Sequence, residues 1–396
     1  MAEFRPQRTF RYKKYIVAYD SLLPSLRGSP GAKEWLTMAE AAVRFPDRVR
    51  LETVRRGRNL PAYQLAYTGE DTWYGNGLMP AQTLPDDQLL RIKNGRVFSR
   101  DGVIYGPEQT AIREFDYEGT TLNILRGELS GGRWNPRYWK HALRRMWRGQ
   151  RLPPVRRVPG TLAAVNGDGS HNYCHFMIEI LPRLLTLQNS GVKPDWYLID
   201  AYLPFHLQSL QAFGIPREKI IQPHQTIHLE ADELVVPARN FPSGCSDVGA
   251  LLKQNLGIGE VPGSGPRLFV NRRISRRAKN YADFKALLTR FDFAEFHLED
   301  WTLPQQIGLF HRADTIVAMH GAGLSNLMFS QPGARVIELM PEGKRQHCYP
   351  NLSRLGGLKH WLISLRPSGL GQDMNVPLEQ LEQLFAEFAQ QNRRAA

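Results

Sequence analysis

Residues 314–338, DTIVAMHGAGLSNLMFSQPGARVIE, constrain this chain more than any other stretch. Thr315–Met319 is an apolar run of strand length that begins with β-branched residues. His320, Gly321, Ala322 and Gly323 break it, and Leu324, Leu327 and Met328 then recur at helical spacing. Pro332 and Gly333 end the helix, and a second strand starts at Arg335. The pattern is a parallel βαβ unit. Its glycine loop joins the carboxyl end of a strand to the amino end of a helix, where unpaired N–H groups and the helix dipole favour an anion. Glycine lets the backbone come close to that anion. The loop reads either as a diphosphate cradle or as a tight turn with no ligand, and a lone G-x-G does not choose between them.

The 396 residues leave room for two or three cores. Residues 1–158 read as a mixed, turn-rich region packing with the lobe that follows. It holds a helix over 32–42, a strand over 63–67 and a hairpin joining 96–99 to 102–105. Residues 151–160, with three prolines and three arginines, read as a linker. From Thr161 strands and helices alternate with short connections, which predicts an α/β chain with parallel, doubly wound sheets. The prolines and glycines of 261–266 divide it into two Rossmann-like lobes, 159–262 and 263–396. Residues 237–265 read as loop-rich, and a terminal helix begins at Pro377 with Leu378, Leu381, Phe385 and Phe388 on one face. That helix is a candidate to cross back to the first lobe.

No run reaches the roughly 18 apolar residues of a membrane span, and the basic N-terminus has no apolar segment behind it. Cys174, Cys245 and Cys348 are odd in number and far apart, against a disulfide framework or a cysteine-based zinc site. A cytoplasmic protein is expected. The net charge of +13 attracts acidic partners. Much of the excess lies in 136–157, where arginines alternate with Tyr138, Trp139, Leu143, Met146 and Trp147. That segment reads as a basic amphipathic surface for anionic lipid at the inner membrane, or as a solvated helix packed on its own domain. No helix-turn-helix, zinc-finger or RNA-binding-sheet signature supports nucleic acid, and none is expected as a partner.

Two constellations carry chemistry. His171, His175 and Glu179 fall at i, i+4 and i+8, one side of a helix, with Asn172 and Arg183 nearby. A carboxylate one turn from an imidazole raises its basicity and orients it for proton transfer. The same residues read alternatively as polar groups pairing with one another, and as a metal site they are thin. Arg272, Arg273, Arg276, Arg277 and Lys279 crowd the loop after the strand over 267–270, ahead of Asn280. A guanidinium fork matches phosphate oxygens, so the loop reads as a phosphate clamp or as a solvated basic loop. Glu338, at the end of the strand after the glycine loop, reads as a ribose acceptor or an exposed charge. No Asp-x-Asp pair, G-x-S-x-G elbow or G-x-x-x-x-G-K-[ST] loop occurs, against serine hydrolase and P-loop chemistry.

Three segments together resemble glycosyltransferase family 61. They are Asn172-Tyr173-x-His175-x-x-x-Glu179-x-Leu181-Pro182-Arg183, the loop with Arg272, Arg276 and Asn280, and His320-Gly321-Ala322-Gly323-Leu324-x-Asn326 followed by Pro332-Gly333-x-x-Val336-Ile337-Glu338. Tyr281 and Cys174 depart from the family pattern. The resemblance covers about residues 160 to 340. It implies a GT-B arrangement, with the acceptor on the first lobe and a nucleotide-sugar donor, expected to be UDP-linked, on the second. It also implies inversion, no required metal and no other cofactor, with a glycan or glycolipid acceptor in bacterial capsule or surface-polysaccharide synthesis. Glu179 or His175 would be the base, and His171, Asn172 and Arg183 would contact the acceptor or support the base. Arg272, Arg276, Asn280, His320, Gly321, Ala322, Gly323, Leu324, Asn326 and Glu338 would bind the donor. The alternatives are a non-catalytic nucleotide-sugar-binding scaffold of the same fold and, further off, a basic nucleic-acid-binding protein.

Overall fold

The computed structural model describes residues 31–69, 76–115, 152–167, 169–238, 241–344 and 346–395. Most of the basic segment 136–157 therefore lies outside the described residues. Two sheets organise the chain. The second is the simpler, six parallel strands in the order Ala294–Phe296, Arg267–Val270, Thr315–Met319, Arg335–Pro341, Lys359–Leu365 and Ala66–Thr68. The expected βαβ unit stands at its centre, and Thr315–Met319 is wholly buried, as a strand covered on both faces must be. Its connecting helix, Ala322–Phe329, is three-ten in form.

The first sheet has ten strands and is mixed. Arg156–Ala164 lies between His228–Pro237 and Trp196–Leu198, parallel to both. Strands before residue 116 extend the sheet antiparallel: Asp87–Lys93 and Arg96–Phe98 both pair with His228–Pro237. The hairpin of Arg96–Phe98 with Val103–Tyr105 forms in the expected register. Ala66–Thr68 joins the far edge of the second sheet instead.

Three local expectations are corrected. Residues 151–160 are not a linker, because Arg156–Ala164 is a central strand. A register shift between Val158 and Thr161 lets it absorb Pro159 and Gly160, the latter at φ +79°. The helix expected over 32–42 begins at Met38 instead, after a strand at Glu34–Leu36, because Thr37 and Glu40 close a capping box. Residues 237–265 contain a helix, Cys245–Leu256, with Cys245, Val248 and Leu252 buried.

The sheets do not keep separate interiors. One apolar cluster runs from Ala163 and Val235 of the first sheet to Leu268, Ile316 and Val336 of the second. Helices at 181–189, 204–212, 245–256, 303–312 and 348–356 fill the space between. The last helix, Leu378–Ala395, does not cross back. Leu381, Phe385 and Phe388 pack with Phe269, Phe284 and Phe293, against the second sheet, and Phe388 meets Trp361 at 4.8 Å between ring centroids.

Candidate functional site

The strand Arg156–Ala164 leads through a short turn to Asn172, whose side chain accepts from the Cys174 amide at 2.9 Å and starts a helix. That helix is α over Tyr173–His175, π over Phe176–Ile180 and α again over Leu181–Asn189. A π turn of this kind often marks a functional segment. Across it, His175 Nδ1 and Glu179 Oε1 lie 2.6 Å apart. The pair is accessible: the side chains are 48% and 28% exposed. His171 precedes the cap and stands outside the helix, which corrects its place in an i, i+4, i+8 row.

Arg183 falls on the supporting side of its expectation, beside Glu179. Its side chain is buried and donates to the carbonyls of Ala164, Val165, Asn166 and Pro237. It gathers chain at the carboxyl ends of the first sheet's strands, and burial pulls its pKa down to about 10. Glu179, Arg183 and Thr186 line one side of a cavity of about 260 Å³, with Asp87, Phe241 and Ser243 among the residues opposite.

On the second sheet the five cations of the loop after Val270 separate. Arg273 pairs with Asp300 at 2.5 Å and Arg277 with Asp373 at 2.8 Å, both exposed. Arg272 and Arg276 turn inward and meet only neutral oxygens among the described residues. Arg272 Nε donates to the Ser275 carbonyl at 2.8 Å, and Arg276 Nη1 donates to the His320 carbonyl at 3.0 Å. Burial lowers both guanidinium pKa values. Burial also lowers that of Lys344, to which Arg276 and Arg272 add. Three cations gathered this closely favour an anion between them.

Gly321 serves this site by closeness. Its φ of 172° is extended backbone open to any residue, yet a Cβ there would stand 1.7 Å from Arg272 Nη1. Gly323 is closed off too, since its Cβ would meet Leu298 Cδ1 at 2.6 Å. His320 Nδ1 bonds to Glu338 Oε1, and His360 Nε2 bonds to Glu338 Oε2 at 3.1 Å. Burial would raise the Glu338 pKa, but these two imidazoles hold it at about 2.

The remaining donor-side expectations divide. Glu338 is not a ribose acceptor here, because both oxygens are consumed and the residue is fully buried. Asn280 is occupied in both directions by the Val376 backbone, which anchors the chain ahead of the last helix. Asn326 is buried, accepting from the Tyr173 hydroxyl at 2.5 Å and donating to Gln306 at 2.9 Å. Leu324 is core, and Ala322 is partly exposed at the head of its helix. Arg272, Arg276, His320 and Gly321 are the expected residues that converge.

Tyr173–Asn326 also brings the two constellations to one seam. Beside it, the Tyr349 hydroxyl meets Cys174 Sγ at 3.6 Å while the Tyr349 ring packs on His320 at 5.4 Å between centroids. Tyr349, Lys344, Cys348 and His360 were missed from sequence. The helix, the strand and the loop that carry them have no motif, and only the fold brings them to His320.

Residues 173–337 match the family model Glycosyltransferase 61. The rice (Oryza sativa subsp. japonica) beta-1,2-xylosyltransferase XAX1 is 34% identical over 220 residues, 47% of this chain and 38% of that protein. The mouse (Mus musculus) EGF domain-specific O-linked N-acetylglucosamine transferase is 31% identical over 90 residues, 23% of this chain and 16% of that protein. The chain thus spans well under half the length of these relatives. A flavodiiron core from Synechocystis overlays with a TM-score of 0.24 at 12% identity, over 52% of this chain and 56% of that one, which carries no argument. The family match begins at the residue after the Asn172 cap and ends one residue before Glu338, enclosing His175, Glu179, Arg272, Arg276 and the His320 loop. Residues 173–337 are a Glycosyltransferase 61 region.

Proposed function

We propose that the protein is an inverting, metal-independent glycosyltransferase that moves a sugar from a nucleotide diphosphate to a glycan hydroxyl. The observation that carries this reading is the convergence of Arg272 and Arg276, both hydrogen-bonded to neutral oxygens, on the backbone of His320 and Gly321. Two half-buried guanidinium groups beside a glycine loop suit a pyrophosphate, whose charge grows as it leaves. The family match and the transferase names of the two relatives support sugar transfer.

The His175–Glu179 pair supplies the base. With Nδ1 on the carboxylate, Nε2 is the basic nitrogen that takes the acceptor proton, and Glu179 stabilises the imidazolium that results. The acceptor oxygen attacks the anomeric carbon from the face opposite the leaving phosphate, which inverts that centre. Arg272, Arg276 and the loop amides offset the pyrophosphate charge, and His320, its Nδ1 fixed by Glu338, has Nε2 for a phosphate oxygen. A GT-B arrangement, a UDP-linked donor, a role in surface-polysaccharide assembly and a cytoplasmic, membrane-peripheral setting belong to the same reading and rest on the motif resemblance. No helix among the described residues is long and apolar enough to cross a membrane.

Sugar release from a panel of UDP-sugars, read together with nucleotide binding, tests the proposal. His175→Ala should keep nucleotide affinity and lose turnover, and Arg272→Ala should lose both. Unchanged transfer and binding in both variants would refute it.

A further inference from the structure

The cavity beside Glu179 has a second wall that proton transfer does not use. It lies where the strand His228–Pro237 ends: Ala238 follows that strand, and Asp87 begins the antiparallel strand Asp87–Lys93 that pairs with it. Ligands of α/β sheets sit at such carboxyl ends. Asp87 is 5% exposed and accepts from Arg55 Nε at 2.7 Å, while Arg55 Nη2 donates to Ser243 Oγ at 3.2 Å. Asp247 holds the remaining arm of Arg55. One arginine thus fixes two polar groups on the wall that faces Glu179. Phe241, half-buried, adds an aromatic ring to it. Asp87 and Arg55 both precede the matched residues 173–337.

We propose that this cavity binds one neutral sugar ring of the acceptor, and that Asp87 and Phe241 select it. The inference rests on the transferase reading. The cavity's volume of about 260 Å³ equals that of roughly nine waters and falls below the range of drug-sized pockets, so it takes a single ring. The carboxylates of Asp87 and Glu179 accept from sugar hydroxyls, and Ser243 Oγ, which accepts from Arg55, has its own proton to donate. The Phe241 ring meets the apolar C–H face of a pyranose. Arg183 is committed to backbone carbonyls and Arg55 to Asp87 and Asp247, so neither offsets the charge of an acidic sugar. Glu179 is shared. It lines the cavity and bonds His175 Nδ1 at 2.6 Å, so a ring held there lies one side chain from the base. The region ahead of the family match thereby supplies a specificity residue.

Saturation-transfer NMR on the full chain, with and without UDP, tests this using the methyl glycosides of xylose, glucose and galactose, with methyl glucuronide as the acidic control. At least one neutral glycoside should bind saturably and the glucuronide more weakly. Asp87→Asn and Phe241→Ala should each weaken the neutral glycoside about tenfold with UDP affinity unchanged. Phe241→Ala carries the test if Asp87→Asn fails to fold. No neutral glycoside bound in either condition, unchanged affinity in a folded variant, or a glucuronide bound as well as the neutral sugars would overturn the proposal. Glycoside binding with no UDP binding would refute the donor reading and leave the cavity a sugar site.

Discussion

Around His320 the imidazole and carboxylate side chains are 3% and 1% exposed, whereas the corresponding pair around His175 is 48% and 28% exposed. Both are histidine–glutamate pairs bonded through Nδ1, yet their settings suit different tasks. Glu338 is shared by His320 and His360, and His360 is in turn bonded to Ser353 at 2.8 Å. A buried network of this kind holds a loop rigid and gives its atoms no room to reorganise. In the His175–Glu179 pair, Glu179 lies on the π turn and lines a cavity, and both side chains reach solvent, where a proton can arrive and leave. The comparison teaches that the same two residue types suit a scaffold when dry and proton transfer when wet.

The largest effect expected from breaking this contrast is on turnover. His175→Ala should lower kcat by about 10²- to 10⁴-fold with nucleotide affinity unchanged, as loss of a general base does. Steady-state transfer combined with titration calorimetry checks it. On the dry side the effect moves to stability. Glu338→Ala strands two buried imidazoles and should cost about 3–5 kcal/mol in urea unfolding.

The dry pair also makes a pH prediction. Glu338 is held at about 2, below its ordinary carboxylate value, so it binds fewer protons folded than unfolded. Its contribution is therefore complete above about pH 4.3 and lost as pH falls towards 2. Glu338→Gln should flatten that part of the acid-unfolding profile.

Gly321→Ala sharpens the comparison further. The backbone permits alanine, but the added methyl displaces Arg272, so nucleotide affinity should fall roughly tenfold with little change in melting temperature. Combined with Arg272→Ala it should add almost nothing, because both changes remove the same contact. The smallest effect is expected at Arg273→Ala. That exposed pair with Asp300 should change stability by less than about 0.5 kcal/mol and leave binding unchanged.

Much of the fold could be read from the chain, and the reasons it failed elsewhere are physical. The unit around His320 was legible because β-branched residues, two glycines and a Pro-Gly stop agree on one answer. The strand Arg156–Ala164 was hidden by Pro159 and Gly160, whose linker-like signal is absorbed by an irregular register. At the site, several residues expected to meet a ligand bond within the chain instead. Asn280, Asn326, Arg183 and Glu338 are polar groups whose partners come from distant segments, so local spacing could not show that they were already satisfied. The five loop cations look alike in sequence. Only the fold shows that Arg273, Arg277 and Lys279 face outward, the first two towards Asp300 and Asp373, while Arg272 and Arg276 turn inward.

Titration of UDP against the wild type and Arg272→Ala, with Arg273→Ala as the control, tests the central claim most directly. Saturable binding by the wild type and the control, weakened tenfold or more in Arg272→Ala, is the result expected when a charge-assisted contact is lost. Equal affinity for all three proteins would contradict an anion site built from Arg272, Arg276 and the His320 loop.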